Sequence, residues 1–181
     1  METNLWGPCR IILSVLPGMR ARKSGTIVNV SSTAGFRTLP TYSHYASSKF
    51  GLEAISEGLA QEVAPFGVRI QLVEPGALRT KFLRAGAIQY APLSEHYRGT
   101  VCDEMLGRLE EMDGSQVGDP VEAAERIYEV VTGTGMAAGR ETELRLPIGS
   151  DCIETVRAKL ERVRDNFERF EDLATSTDIK Q

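Results

Sequence analysis

A chain of 181 residues with 41% hydrophobic and 25% charged side chains has the make-up of one ordinary globular domain. A net charge of −4 and a pI near 5.3 exclude a broad basic surface for nucleic acid or anionic lipid, because phosphate binding needs clustered Lys and Arg. The expected partner is a small molecule.

Three cysteines, Cys9, Cys102 and Cys152, are odd in number and lie far apart with no CxxC pair. That pattern suits neither a disulfide framework nor a zinc site, so they are read as reduced thiols and no metal is expected. The apolar run from Ile11 to Leu16 is too short to cross a bilayer and has no signal-type cleavage site beside it. A cytoplasmic protein with no membrane partner is the reading.

From Asn4 to Arg22, apolar residues recur at helical spacing, with Pro17-Gly18 near the end. Lys23-Ser24-Gly25 supplies a turn, and the β-branched run Thr26 to Ser32 reads as a covered parallel strand. A loop over 33–41 leads into a long helix over 43–64, closed by Pro65-Phe66-Gly67. Val68 to Val73 alternates as a strand and Glu74-Pro75-Gly76 breaks it. Two strands joined by a helix of this length imply a parallel pair covered on both faces, which is the α/β class.

Residues 81–118 lack clean periodicity and read as a mobile, partly helical lid over a substrate. Asp119 as N-cap and Pro120 at the first helical position open a helix running to about Val131. Glu143 to Gly149 is expected to be a short last strand, and Ile153 to Leu173 a charged helix with a polar tail. The division is therefore a catalytic domain over 1–150, its lid at about 81–118, and a terminal helix and tail over 151–181. Gly133-Thr134-Gly135 and Gly139 follow a late helix, so they read as a loop and not as a phosphate-binding turn.

Tyr45 and Lys49 stand one helical turn apart on the same face, where an ammonium would favour phenolate over phenol. A free Tyr titrates near about 10, so acid/base work near neutrality needs such help. By itself this pair is also what a solvated surface contact looks like. Ser32, at the carboxyl end of the first strand, adds a hydroxyl where α/β sheets gather ligands, although Ser31 and Thr33 compete for the role and strand-end hydroxyls often serve only the loop backbone. His44 is expected to point to another helix face, toward solvent.

Ser32, thirteen positions before Tyr45, together with Tyr45-Ala46-Ser47-Ser48-Lys49, resembles the Ser and YxxxK signature of the short-chain dehydrogenase/reductases. Thr26 to Ser32 is similar to that family's fifth strand, and Pro75-Gly76-Ala77-Leu78-Arg79-Thr80 to its PGxxxT segment after the sixth. Asn4-Leu5-Trp6-Gly7 looks like the NxxG helix opening whose Asn backbone binds a relay water; a plain N-cap Asn is the other reading. The similarity runs through roughly residues 2–85.

The resemblance implies a partial Rossmann-like, doubly wound parallel sheet. It also implies catalytic roles for Ser32, Tyr45, Lys49 and Asn4, and contacts to NADP or NAD from Tyr45, Lys49, Pro75, Gly76, Leu78 and Thr80. Lys49 would hold the nicotinamide ribose, and Leu78 and Thr80 would face the nicotinamide. The family's first strand and glycine-rich turn find no counterpart here, as if the chain began at the fifth helix without about 100 residues of βα units. Met1 then falls at a position internal to the family, as in a clipped gene or a shortened paralogue. The helices over 5–20 and 43–64 resemble the family's dimer-forming pair, so a homo-oligomer, dimer or tetramer, is expected.

Three functions follow. The first is NAD(P)-dependent reduction of a carbonyl, or oxidation of a secondary alcohol, on a small lipophilic substrate that Phe82, Leu83, Ile88 and Tyr90 would cover. The second is a catalytically silent partner subunit. The third is a cofactor-independent isomerase, dehydratase or cyclase using the same proton machinery.

Overall fold

The computed structural model describes residues 1–84, 88 and 91–179. The expected Tyr90 contact lies outside them. Helix α1 (Gly7–Arg22) is preceded by one π-helical turn, Glu2–Trp6. The wide turn arises where Pro8 has no N–H to give: Trp6 N reaches back to Met1 O at 3.3 Å and Gly7 N to Glu2 O, each five residues back. The Asn4 segment thus begins as a π turn and not as a regular helix with Asn4 as its cap.

Strand β1 (Gly25–Val30) stops two residues short of the expected end, because Ser32 leaves the sheet to cap a 3-10 turn over Thr33–Gly35. Its hydroxyl accepts from Ala34 N at 3.1 Å. Helix α2 (Ser43–Val63) follows a left-handed Thr41, φ 69°, and ends through a 3-10 turn at Gly67, φ 66°. There a Cβ would meet Lys23 O, so glycine is required. Strand β2 (Val68–Pro75) is the centre of a three-stranded parallel sheet in the order β1-β2-β3, where β3 is Arg145–Ile148. Its register pairs Val30 with Val73 and Pro75 with Ile148, so β2 and β3 end together, two residues beyond the end of β1.

Strand alternation divides the core. Ile27, Val68 and Ile70 pack on Ile12 and Leu16 of α1 and Val63 of α2. On the opposite face, Val73 and Ile148 pack on Ala123 of the helix after the lid region. That region holds a well-formed helix, α3 (Val101–Met112), with Thr100 as N-cap and Leu109 buried. Helix α4 (Pro120–Thr132) starts as expected, with Asp119 Oδ1 accepting from Val121 N at 2.7 Å. Helix α5 runs from Ser150 to Thr175 and starts three residues earlier than the periodicity suggests.

Candidate functional site

The carboxyl ends of β1 and β2 and the first turns of α2 enclose a cleft of about 580 Å³. Ser32, Tyr45, Lys49, Pro75, Gly76, Leu78 and Thr80 all line it. Asn4 does not: it lines a neighbouring cavity of about 330 Å³ and meets the cleft only through Lys49 and Val30, which line both. Its Nδ2 donates to Ser48 Oγ at 3.3 Å, and Ser48 Oγ in turn donates to the carbonyl of Tyr45 at 2.6 Å. His44 is exposed, as its helix position implies.

The helical step brings Lys49 Nζ to 5.7 Å from the centre of the Tyr45 ring. The ammonium itself donates to Val30 O at 2.8 Å, the last carbonyl of β1. Burial raises the Tyr45 phenol above its ordinary value, and the hydrogen bond with Ser32 pulls it partly back. The spacing argument for a phenol lowered by Lys49 is therefore corrected: desolvation outweighs a cation whose charge is turned toward a backbone carbonyl. Burial likewise lowers Lys49, opposed by the charge of Glu53 one turn further along α2. Of the three candidate hydroxyls, Ser32 is the one whose influence lowers the Tyr45 phenol; Thr33 Oγ1 donates to Pro75 O at 3.1 Å, and Ser31 Oγ is buried with no partner among the described residues.

Aromatic rings wall the phenol: Tyr42 meets it edge-on at 5.9 Å and Phe82, from a 3-10 turn over Lys81–Leu83, lies tilted at 5.9 Å. Thr80 caps that turn by accepting from Phe82 N at 3.2 Å. Leu78 is joined to Gly118 by a β-bridge, where an added Cβ would come 2.9 Å from Ala77 O.

Sequence reasoning missed the far wall. Leu109 and Met112 of α3 and Asp151 and Thr155 of α5 complete the cleft. Asp151 Oδ2 accepts from Ala77 N at 2.6 Å and so ties the start of α5 to the loop after β2. An acidic residue in the first turn of a helix directly after the last strand is the one signal that marked it.

Behind the cleft, Arg145 serves three carboxylates: Glu53, Glu74 at 2.7 Å and Glu57 at 3.2 Å, and it lies 5.0 Å from the Phe36 ring. Burial, and after it the charge of Glu53, push Glu74 up to about 7 against the pull of Arg145.

Ser32, Tyr45 and Lys49 thus line one cleft at the carboxyl edge of a parallel sheet. The sequence profile of the family described as short chain dehydrogenase matches residues 1–89. A short-chain dehydrogenase from Streptomyces avermitilis superposes with a TM-score of 0.85 at 36% identity, over 98% of this chain and 62% of that one. This chain belongs to the short-chain dehydrogenase family.

Oxidoreductase BOA17 of Botryotinia fuckeliana is similar at 33% identity over 177 residues, aligning with 98% of this chain and 62% of its own length. Actinorhodin polyketide ketoreductase, solved with NADPH, is similar at 30% identity and a TM-score of 0.56, over 81% of this chain and 54% of that one. The chain spans 49% and 62% of the lengths of the first two curated relatives it matches. No helix among the described residues is long and apolar enough to cross a membrane.

Proposed function

We propose that this chain carries the proton-transfer half of a nicotinamide-dependent reduction of a carbonyl, or of the reverse oxidation of a secondary alcohol, on a small lipophilic substrate. The observation that carries it is that Ser32, Tyr45 and Lys49 line one cleft together with Leu39, Phe82, Leu83, Leu109 and Met112.

Ser32 donates to the substrate carbonyl oxygen and polarises it. Tyr45, kept a neutral phenol by burial, gives that oxygen its proton in the reductive direction and takes it back in the other. A carbonyl held by two hydroxyls against apolar walls excludes most of the water that would compete for those hydrogen bonds.

The residues present suit the nicotinamide end of NADP or NAD. Lys49 spends one of its three N–H donors on Val30 O and keeps capacity for a ribose diol, while Pro75, Gly76 and Leu78 offer a flat, mostly apolar wall. When bound, the cofactor supplies the hydride. A likeness to a ketoreductase solved with NADPH supports this choice of cofactor.

The test is calorimetric titration of the 181-residue chain with NADPH and NADH, followed by a carbonyl-substrate screen with Tyr45→Phe as control. Low-micromolar binding and turnover that the variant loses are expected. Tyr45-dependent turnover with no nucleotide added would overturn the redox reading in favour of a cofactor-independent isomerase, dehydratase or cyclase.

A further inference from the structure

Helix α5 is 26 residues long, yet only Cys152 in its first turn is buried. Along it, Ile153, Val156, Leu160, Val163, Phe167 and Phe170 follow one another in alternating steps of three and four. That is the seam spacing of a two-helix coiled coil, not the broader stripe of a helix laid on a globular core. The first two seam residues are half-buried against the body of the fold. The next four are 56%, 37%, 73% and 53% exposed, an apolar strip too long and too regular to be scattered surface residues.

The charges beside the seam say what fits on it. On one flank stand Arg157, Arg164 and Glu171, one heptad apart. If a second α5 lies antiparallel, with Val163 against the partner's Phe167 and Leu160 against the partner's Phe170, then Arg157 faces the partner's Glu171, and two-fold symmetry makes this pair twice. Arg164 meets its own copy at the symmetry axis and brings its own counter-charges, Asp165 and Glu168, each at 3.6 Å. In a parallel pair Lys159 would instead face the partner's Arg164, like against like. The Arg157–Glu171 pair, made twice, therefore favours the antiparallel arrangement.

We propose that the outer half of α5 is a self-association surface on which a second copy of this chain docks in an antiparallel coiled coil. The surface is separate from the cleft, and the proposal stands apart from the redox reading. Because the seam residues are exposed in the single chain, substituting them leaves the fold intact, which a thermal melt verifies.

Sedimentation equilibrium of the 181-residue chain tests it. A monomer–dimer equilibrium is expected, abolished by Phe167→Glu. Arg157→Glu should weaken it about 10-fold, since both symmetric pairs turn from attraction to repulsion, and Arg157→Glu combined with Glu171→Arg should restore it. With Cys9→Ser and Cys102→Ser as background, Arg164→Cys should form a covalent dimer on mild oxidation, as only the antiparallel pairing brings that position beside itself. A chain monomeric at every concentration, a dimer indifferent to Phe167→Glu, a double swap no tighter than the single variant, or an Arg164→Cys that does not cross-link would each overturn the proposal.

Discussion

The two longest helices are built to opposite plans. Helix α2 buries polar groups: Ser48, Lys49, Glu53 and Ser56 are all inside, while Phe50 is 44% exposed. Helix α5 beyond its first turns does the reverse, with charged residues around an apolar strip left in the open. Burying a polar group is unfavourable unless it is partnered, so the partners on α2 draw the map of a site: Ser56 to Asn29, Lys49 to Val30, Glu53 to Arg145. Leaving apolar area in water is unfavourable as well, and on α5 it points outward, to another surface.

The sharpest way to break that contrast is Tyr45→Phe. Removing one hydroxyl from α2 should lower turnover by about 10²–10⁴-fold, with the melting curve unchanged; retained activity would remove α2 from the chemistry. Next in size is a pair of truncations. Leu52→Ala, where the parent side chain is 2% exposed, should lose about 2–5 kcal/mol in urea unfolding. Leu160→Ala on α5, in dilute solution, should stay within about 0.5 kcal/mol of the parent. Equal losses at the two positions would mean that the outer half of α5 is packed.

Asp151→Ala tests how α5 is tied to the cleft, since it frees the Ala77 amide at the cleft wall. A loss of about 1–3 kcal/mol, read again from urea unfolding, is expected; a value near zero would show that α5 does not hold the loop.

The smallest effect concerns pH. Glu74 is pushed up to about 7 from the ordinary 4.5, so between those values the folded chain keeps a proton that the unfolded chain has released. Its contribution to stability is complete below the unfolded value and is lost as pH rises through about 7. Glu74→Gln keeps the neutral form throughout, so its melting temperature relative to the parent's should climb between about pH 5 and about pH 8. A flat difference would mean that Arg145 keeps Glu74 ionised.

The inner plan was largely legible in the sequence. Strong local signals placed β1, α2 and β2 within two residues at each end, because Thr-Ile-Val-Asn-Val and the Pro-Phe-Gly stop depend on near neighbours alone. That Tyr45 and Lys49 share a helix face followed from one helical turn, whereas the choice of Ser32 over Ser31 and Thr33 came from the family resemblance; all three line one cleft. What could not be read needed distant partners. Arg145 meets Glu53 across 92 positions and Asp151 meets Ala77 across 74, separations at which no periodicity carries information. The phenol's upward displacement was missed because spacing gives the distance to a cation but not the desolvation around it. On α5 the charged positions drew the eye, and the seam beneath them went unread.

Thr41, the left-handed residue at the threshold of α2, carries a lesson for engineering. A β-branched side chain at φ 69° is held there against its preference, at a cost of order 1–3 kcal/mol. The loop that delivers Tyr42 and Tyr45 to the cleft thus carries that strain at its last residue before Tyr42. Replacement of Thr41 by glycine should relax it and raise the melting temperature, offset by the greater freedom glycine has in the unfolded chain. Should turnover fall as stability rises, the tension itself is part of how the phenol is aimed, and robustness and catalysis are traded against each other at a residue outside the lining of the cleft.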